Sequence, residues 1–515
     1  MYAVMRFGKS FTSLCCAKKM NAKIVVVVSG KADVEIEWKQ TAESHILFEE
    51  YLFITSKELK RDTESISNAL KKKKRVIVFL TLQDLCGKDI KDKHKEIFSK
   101  EIDLLIVDET HFAARSEEYG KVLQDVDIKE YKENETLEEA EESYKFLRRK
   151  VTLHLSGTPY RLLMGSEFKK EDIICFCQFT DIIKEQSEWD KKWLLKDTYD
   201  SKDCEDFGKH IGDKVYEWDN PYFGFPQMVR FAFNPNEETQ KRLKQLQNKG
   251  ESYSFSQLFR PQSIEKDDSS KHKLFVYEKE VLDLLKCIDG TKEDNNIFPF
   301  LNYKKIKEGK MCHHMVMVLP FCASCDAMEN LILKYKSEFK NLGDYEILNI
   351  SGVDDVKKYK KTSDVIKCIS KFEQEGKKTI TLTVQRMLTG STVKEWDSMI
   401  YLKDTSSPQE YDQAIFRLQN QFIETRIDES TGNVVKINLK PQTLLVDFAP
   451  NRMFYMQEKK AQIYNANIDK SGNKKLKDRI NYVACNDGSF KEVENTILVT
   501  DLFDFLKQYK NNEDE

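Results

Sequence analysis

Short apolar runs alternate with charge-rich helical stretches through roughly the first 160 residues. KIVVVVSG (23–30), RVIVFLT (75–81), DLLIVDE (103–109) and VTLHLSGTP (151–159) are rich in β-branched residues and end in polar or glycine-containing turns. Continuous apolar runs of this kind fit strands buried on both faces of a parallel sheet. The segment SKELKRDTESISNALKKKKR (56–75) fits a helical crossover between two of them. The alternation predicts a doubly wound α/β domain, whose ligands bind at the carboxyl ends of the strands.

A second alternating block starts near 311, where MVMVLPF, YEILNIS, TITLTV, SMIYL and QTLLVDF again read as buried strands with helices between them. Between the blocks, over 235–310, the chain is first K/E/Q-rich and helical, then irregular through FRPQSIEKDDSSKHK. The expected organisation is therefore a first α/β domain over 1–234, a helical and irregular connector over 235–310, a second α/β domain over 311–450, and a small C-terminal extension over 451–515. The stretch 128–149 reads as a charged helix with a solvated face. NNEDE at the end reads as a frayed tail.

Composition narrows the classes. With 515 residues the chain has room for about three domains. Lys+Arg 83 against Asp+Glu 86 leaves a net charge of −3, so this is no polybasic binder, and any nucleic-acid contact must come from a local groove. No window holds the ~18 continuous apolar residues of a membrane helix. MYAVMRFGKS turns polar too soon for a signal peptide, and a soluble, cytoplasmic protein is expected.

The 12 cysteines are scattered and do not form a disulfide framework. Cys312-His313-His314 together with Cys322 and Cys325 invites a zinc reading. However, the two groups bracket the apolar run MVMVLP, and ligands at opposite ends of one strand would lie ~20 Å apart. Reduced, partly buried thiols are the expectation.

Two motifs carry chemistry. AVMRFGKSF (3–11) contains Ala3-x4-Gly8-Lys9-Ser10, a phosphate-binding loop with alanine in place of the first glycine. Backbone amides of such a loop and of the following helix terminus, here Arg6, Phe7, Gly8, Lys9, Ser10 and Phe11, face phosphate oxygens. Lys9 would reach the β/γ-phosphates and Ser10 would ligate Mg2+. About a hundred residues later LLIVDETHFA (104–113) drives a buried strand into two adjacent carboxylates. Asp108 at that strand end can hold Mg2+ through water, while Glu109 orients and activates the attacking water. The competing reading of Asp108-Glu109 is an ordinary strand exit into solvent.

These motifs resemble those of superfamily 2 helicases and translocases. DETH (108–111) is a variant of the DEAD/DEAH box, and LSGTPY (155–160) resembles the family's third motif. The resemblance implies that Ser156, Gly157 and Thr158, with His111, couple nucleotide state to the nucleic-acid path. VVVVSGK (25–31), with Ser29, Gly30 and Lys31, and VFLTLQDL (78–85), with Thr81, are similar to segments that touch the nucleic-acid backbone. LTGSTVKEWDSMIYL (388–402) resembles motif five, with Thr389, Gly390 and Ser391 in its loop. YDQAIFRLQNQF (411–422) resembles motif six, with Gln413 and Arg417.

The match runs over roughly 1–450, and its wording is similar to motors of bacterial restriction–modification and mobile-element proteins. It implies two tandem RecA-like domains with ATP and Mg2+ bound between them, and stepping along DNA, with RNA as a possible track. Lys9, Mg2+ and Arg417 would counter the developing negative charge.

Three departures from the family pattern stand out. Only MYAV precedes the phosphate loop, which suggests the downstream part of a longer polypeptide. Alanine occupies position 3. In motif six, Q-x-x-G-R-x-x-R, the glycine is Phe416 and the last arginine is Asn420, so Arg417 is the best arginine finger, and Arg386 could share the charge. Trp38, Trp218 and Trp396 could stack on bases, against ordinary packing. Two rival readings stay open: a motor remnant that binds DNA without productive turnover, and the motor fragment of a larger restriction endonuclease. No nuclease or methyltransferase motif is found within the chain, so such an activity would lie on a missing domain or a partner.

Overall fold

The computed structural model describes residues 1–4, 7–30, 32–62, 64–85, 94–108, 147–157, 172–177, 179–194, 215–232, 254–293, 299–302, 306, 311–353, 359, 361–388, 392–405, 407–430, 432–448, 482–484 and 490–492. The chain divides into two compact units, the first Met1–Phe179 and the second from Thr180 onward.

The first unit is built on a parallel sheet. Its strands are β2 (Ile24–Ser29), β3 (Tyr51–Thr55), β4 (Arg75–Thr81), β5 (Ile102–Asp108) and β6 (Arg149–Leu155), in the spatial order β3-β4-β2-β5-β6. The short β1 (Tyr2–Ala3) pairs with β7 (Phe176–Cys177) and bridges from Tyr2 to Ser156, just past β6. All six residues of β2 are buried, as a central strand covered on both faces requires. Each of its apolar side chains contributes about 2 kcal/mol by leaving water. One face (Val26, Val28, Val78, Leu80) packs against Ile66 and Ala69 of a helix at Ser65–Lys71. The other (Val25, Val27, Ile77, Phe79, Ile106) packs against Leu14 and Ala17 of α1 (Lys9–Lys19) and Trp38 and Ala42 of α2 (Glu35–Ser44). The four apolar runs expected as strands are strands, and helices cover both faces. β3 is an additional edge strand, and Leu52 faces solvent on it.

The second unit holds a larger sheet. β8 (Gln227–Ala232), β9 (His314–Val318), β10 (Tyr345–Asn349), β11 (Lys378–Thr383), β12 (Ser398–Tyr401) and β15 (Gln442–Asp447) are parallel in the order β10-β11-β9-β12-β15-β8. β16 (Tyr482–Ala484) adds to β8 in parallel, and β17 (Phe490–Glu492) pairs antiparallel with β16. β13 (Ile423–Ile427) and β14 (Val434–Asn438) form a separate antiparallel pair. The architecture is thus the expected one of two tandem α/β units on parallel sheets.

The boundaries differ from the expectation. The first unit ends at Phe179 instead of 234, because β8 hydrogen-bonds to β15 in the second sheet. Described parts of the 235–310 connector belong to the second core: Phe255, Phe259 and Phe275, with Val281, Leu285 and Ile288 of a helix at Glu278–Asp289, pack with Met315, Met317, Ile380 and Ile400 of the sheet. Part of the 451–515 extension extends that same sheet as β16 and β17. Of the charged stretch 128–149, residues 128–146 lie outside the described residues, and Arg149 opens β6.

Asp84 shows how a turn after a strand is fixed. Its carboxylate accepts from Thr81 N (3.0 Å), Thr81 Oγ1 (2.8 Å), Ser56 Oγ (2.7 Å) and Lys60 Nζ (2.9 Å). Partial burial alone would raise its pKa, but these donors outweigh it and bring it down to about 2. Asp84 therefore stabilises the fold above the ordinary carboxylate pKa, and this contribution is lost as pH falls from about 4 to about 2. Asp84→Asn is expected to cost about 2 kcal/mol at neutral pH. The gap to the wild type, followed by urea unfolding, should close as pH falls through that window; a gap independent of pH would show that the carboxylate charge is not what stabilises the turn.

Candidate functional site

The parallel register places the predicted chemistry at one edge of the first sheet. Ser29 pairs with Thr81 on one side and Asp108 on the other, and Asp108 pairs with Leu155. Ser156 follows, and its carbonyl accepts from Ala3 N at 3.0 Å. The carboxyl ends of β1, β2, β4, β5 and β6 are therefore neighbours. Asp108 and the loop after β1 are separated by the single strand β6, a spacing of ~10 Å at ordinary strand separation.

The loop after β1 leads into α1 through Gly8, at φ 89° and ψ 32°. That left-handed conformation is open to glycine at little cost, and no other atom lies within 4 Å of where a Cβ would sit. The first turn of α1 carries no acidic residue, so no carboxylate within the turn competes for its amides. Lys9 Nζ lies 3.0 Å from Ala3 O and 3.4 Å from Val4 O, folded over the loop. Glycine in the turn, lysine over it, a helix terminus without acids and Asp108 one strand beyond Ser156 together suit a phosphate with a divalent cation. Phe7 and Phe11, expected near the nucleotide, also lend their rings to the core; Phe11 meets His45 and Phe48 edge-on at 4.9 and 5.5 Å.

Asp108 accepts from Trp38 Nε1 at 3.1 Å. Trp38 is 1% exposed, so it packs instead of stacking on bases and its indole sets the direction of this carboxylate. Sequence reading marked Trp38 but not this partnership, which joins residues 70 positions apart. Trp396 is also fully buried and donates to Thr381 Oγ1 at 3.3 Å. Trp218 is half-buried and stacks on Tyr216. His154, paired with Val107 on the neighbouring strand, is held neutral: burial, with Arg149 nearby, lowers its pKa to about 4.

Ser29 and Ser156 are buried at the sheet edge, and Gly30 is half-buried beside them. Thr81 Oγ1 is engaged with Asp84, whose backbone N–H donates to it at 3.1 Å. Arg6, Lys31, Glu109, His111, Thr158, Thr389, Gly390 and Ser391 lie outside the described residues.

In the second unit Gln413 sits on a helix at Pro408–Ile415, and Arg417 follows in a 3-10 turn; they are 8% and 7% exposed. Arg417 Nε donates to Leu388 O at 2.9 Å, tying this turn to the residue that precedes 389–391. Arg386 donates Nη1 to Ile350 O at 2.8 Å and Nη2 to Tyr359 O. Both arginines thus brace neighbouring loops.

The chain is similar to several known proteins. Residues 7–161, which include α1, Asp108 and Ser156, match the family model described as Type III restriction enzyme, res subunit. The chain is 27% identical over 455 residues to a Mycoplasma pneumoniae protein whose name describes it as the C-terminus of a type II restriction enzyme and methyltransferase. The match covers 82% of this chain and 58% of that relative, so the chain spans less than two thirds of the relative's length. Among solved structures it is similar to the ATP-dependent Type ISP restriction-modification enzyme LlaBIII bound to DNA, with a TM-score of 0.43 and 11% identity, over 92% of this chain and 28% of that one.

The brace at Arg417 has a measurable consequence. Arg417→Ala is expected to lower the stability of the second unit by about 2 kcal/mol, since it removes a buried side chain and leaves the Leu388 carbonyl without this donor. Urea unfolding without nucleotide reads this directly, and an unchanged midpoint would remove the brace. Residues 7–161 are thus similar to the Type III restriction enzyme res subunit, in a chain similar over most of its length to a restriction enzyme and methyltransferase relative.

Proposed function

We propose that the chain is the ATP-dependent motor of a DNA restriction–modification system. The observation that carries this reading is the shared edge of the first sheet, where the Gly8-Lys9 loop, Asp108 and Ser156 stand on neighbouring strands. Lys9 and the amides of α1 bind the phosphates. Ser10 and Asp108 hold Mg2+, which when bound neutralises phosphate charge and fixes the triphosphate for attack. Glu109 orients and deprotonates the attacking water.

Trp38 keeps the Asp108 carboxylate in place, and Ser156, Thr158 and His111 pass the nucleotide state to the loops after β2 and β4. Those loops, with Gly30, Lys31 and 389–391, carry the DNA backbone; buried Ser29 and the Asp84-bound Thr81 act by shaping them. The name of the Mycoplasma relative supports DNA as the track and leaves cleavage or methylation to further segments or a partner subunit.

A second reading, a DNA-binding motor with weak turnover, is favoured by the burial of Arg417 and its bond to Leu388 O. A missing arginine finger can cost several orders of magnitude in turnover.

Steady-state ATP hydrolysis with single- and double-stranded DNA, and with RNA, separates the two. The motor predicts stimulation by DNA and a fall of about 100-fold or more in Glu109→Gln, with Lys9→Ala losing nucleotide binding. DNA binding without stimulated hydrolysis would support the weak motor. Hydrolysis that survives both substitutions would place the reaction elsewhere.

A further inference from the structure

The Cys312-His313-His314 run is not used by the proposed motor, and its geometry is unusual. Successive side chains of a strand point to opposite faces, so two adjacent histidines should diverge. Here both approach one carboxylate: Glu373 Oε2 lies 2.8 Å from His314 Nε2 and 3.9 Å from His313 Nδ1. Cys312 permits this. Its φ is 60°, in the left-handed region that a non-glycine residue rarely enters, and it turns the chain just before β9 begins at His314. His313 therefore stands outside the regular alternation.

The bend is secured from below by Asp397, which accepts from His313 N at 2.8 Å, His314 N at 3.3 Å and Ser398 Oγ at 2.9 Å. His314 is 1% exposed, and its Nδ1 lies 2.9 Å from Thr379 Oγ1, which fixes the ring with Nε2 toward Glu373. One ligand atom from each of His313, His314 and Glu373 lies within 4.8 Å of the other two.

We propose that His313, His314 and Glu373 form a binding site for one transition-metal dication of the Zn2+ or Co2+ type. Two imidazoles and a carboxylate match the preferences of such ions, whereas Mg2+ and Ca2+ favour oxygen ligands. Tetrahedral ligands at ordinary zinc distances stand ~3.4 Å apart, so on binding the 2.8 Å His314–Glu373 pair opens and the 3.9 Å His313–Glu373 pair closes, each by about half an ångström. The side chains of His313 and Glu373, 33% and 31% exposed, can make that movement and leave a path from solvent. Thr379 is the outer partner that a metal-bound histidine requires for its orientation.

The site lies at the amino ends of β9 and β11, the edge of the second sheet opposite the one where Thr383 ends β11. It is distinct from the proposed Mg2+ site, and it clips the helix Thr362–Gln374, through Glu373, to the start of β9. Of the cysteines, Cys312 is buried, and Cys322 and Cys325 lie beyond the other end of β9.

The test is metal titration of the full chain after chelator treatment, in buffer containing excess Mg2+. Co2+ is followed by its visible absorption and Zn2+ by calorimetry. One equivalent should bind, with the visible bands of a low-coordinate cobalt site and no thiolate-to-cobalt charge-transfer band. His313→Ala and Glu373→Gln should each weaken binding at least about tenfold, while Cys322→Ser should leave it unchanged. Thermal unfolding of the metal-free variants checks that they fold; should Glu373→Gln fail, the more exposed His313→Ala decides. No saturable binding, a charge-transfer band, or an affinity that both variants leave unchanged would overturn the site and leave a hydrogen-bonded His–Glu pair.

Discussion

A parallel strand cannot return through a tight turn, so the chain must leave each strand at one edge and travel back along a face before re-entering. In the first unit this forces the turns after β1, β2, β4, β5 and β6 to open on the same side. Register then decides which residues meet there. Ser29 stands between Thr81 and Asp108, and Asp108 beside Leu155, because both faces of β2 are buried and a one-residue slip would exchange the two apolar sets. The spacing of the Gly8-Lys9 loop and the acidic strand end at Asp108 is thus a consequence of core packing.

Packing alone does not aim a carboxylate or hold a turn, and polar bonds supply that second layer of order. Trp38 reaches Asp108 through the buried face of α2. Asp84 gathers the turn after β4 with the helix at Ser56–Arg61, since Ser56, Lys60 and Thr81 converge on it. In the second unit Asp404 accepts from Ser254, Phe255 and Ser256 and so fastens the segment before the sheet to the turn after β12. Each of these groups would be costly to bury alone. Loops at the carboxyl edges are therefore tied to rigid elements by short, local bonds.

This division explains what could be read from the sequence. β2, β4, β5 and, in the 311–450 block, β9, β10, β11, β12 and β15 were legible because a largely buried strand leaves a continuous apolar run. β3 was not, since YLFIT lies at an edge, is only partly covered and exposes Leu52. β8 was assigned to the first domain by its place in the chain, yet it hydrogen-bonds to β15, more than 200 residues later. Nothing in MVRFA itself names that partner. The neighbouring places of Gly8, Lys9, Asp108 and Ser156 were legible because their motifs fall at strand ends of one parallel sheet. Trp38 with Asp108, and Glu373 with His314, were not, because each partnership is set by three-dimensional packing alone.

The second unit extends the same logic to charge. Arg386 gives its donors to the carbonyls of Ile350 and Tyr359, beyond the end of β10, while its own place is just past β11. A carbonyl satisfies a guanidinium as a hydrogen-bond donor without neutralising it, so the loops are braced and the positive charge persists at that edge. Lysine could not do both, since its point charge lacks the fork that spans two acceptors. Residues that a motif comparison nominates for charge stabilisation can therefore also carry the mechanical connection between loops. In such an arrangement one side chain ties the segments after β10 and β11 together, so neither can shift without straining its bonds to the other.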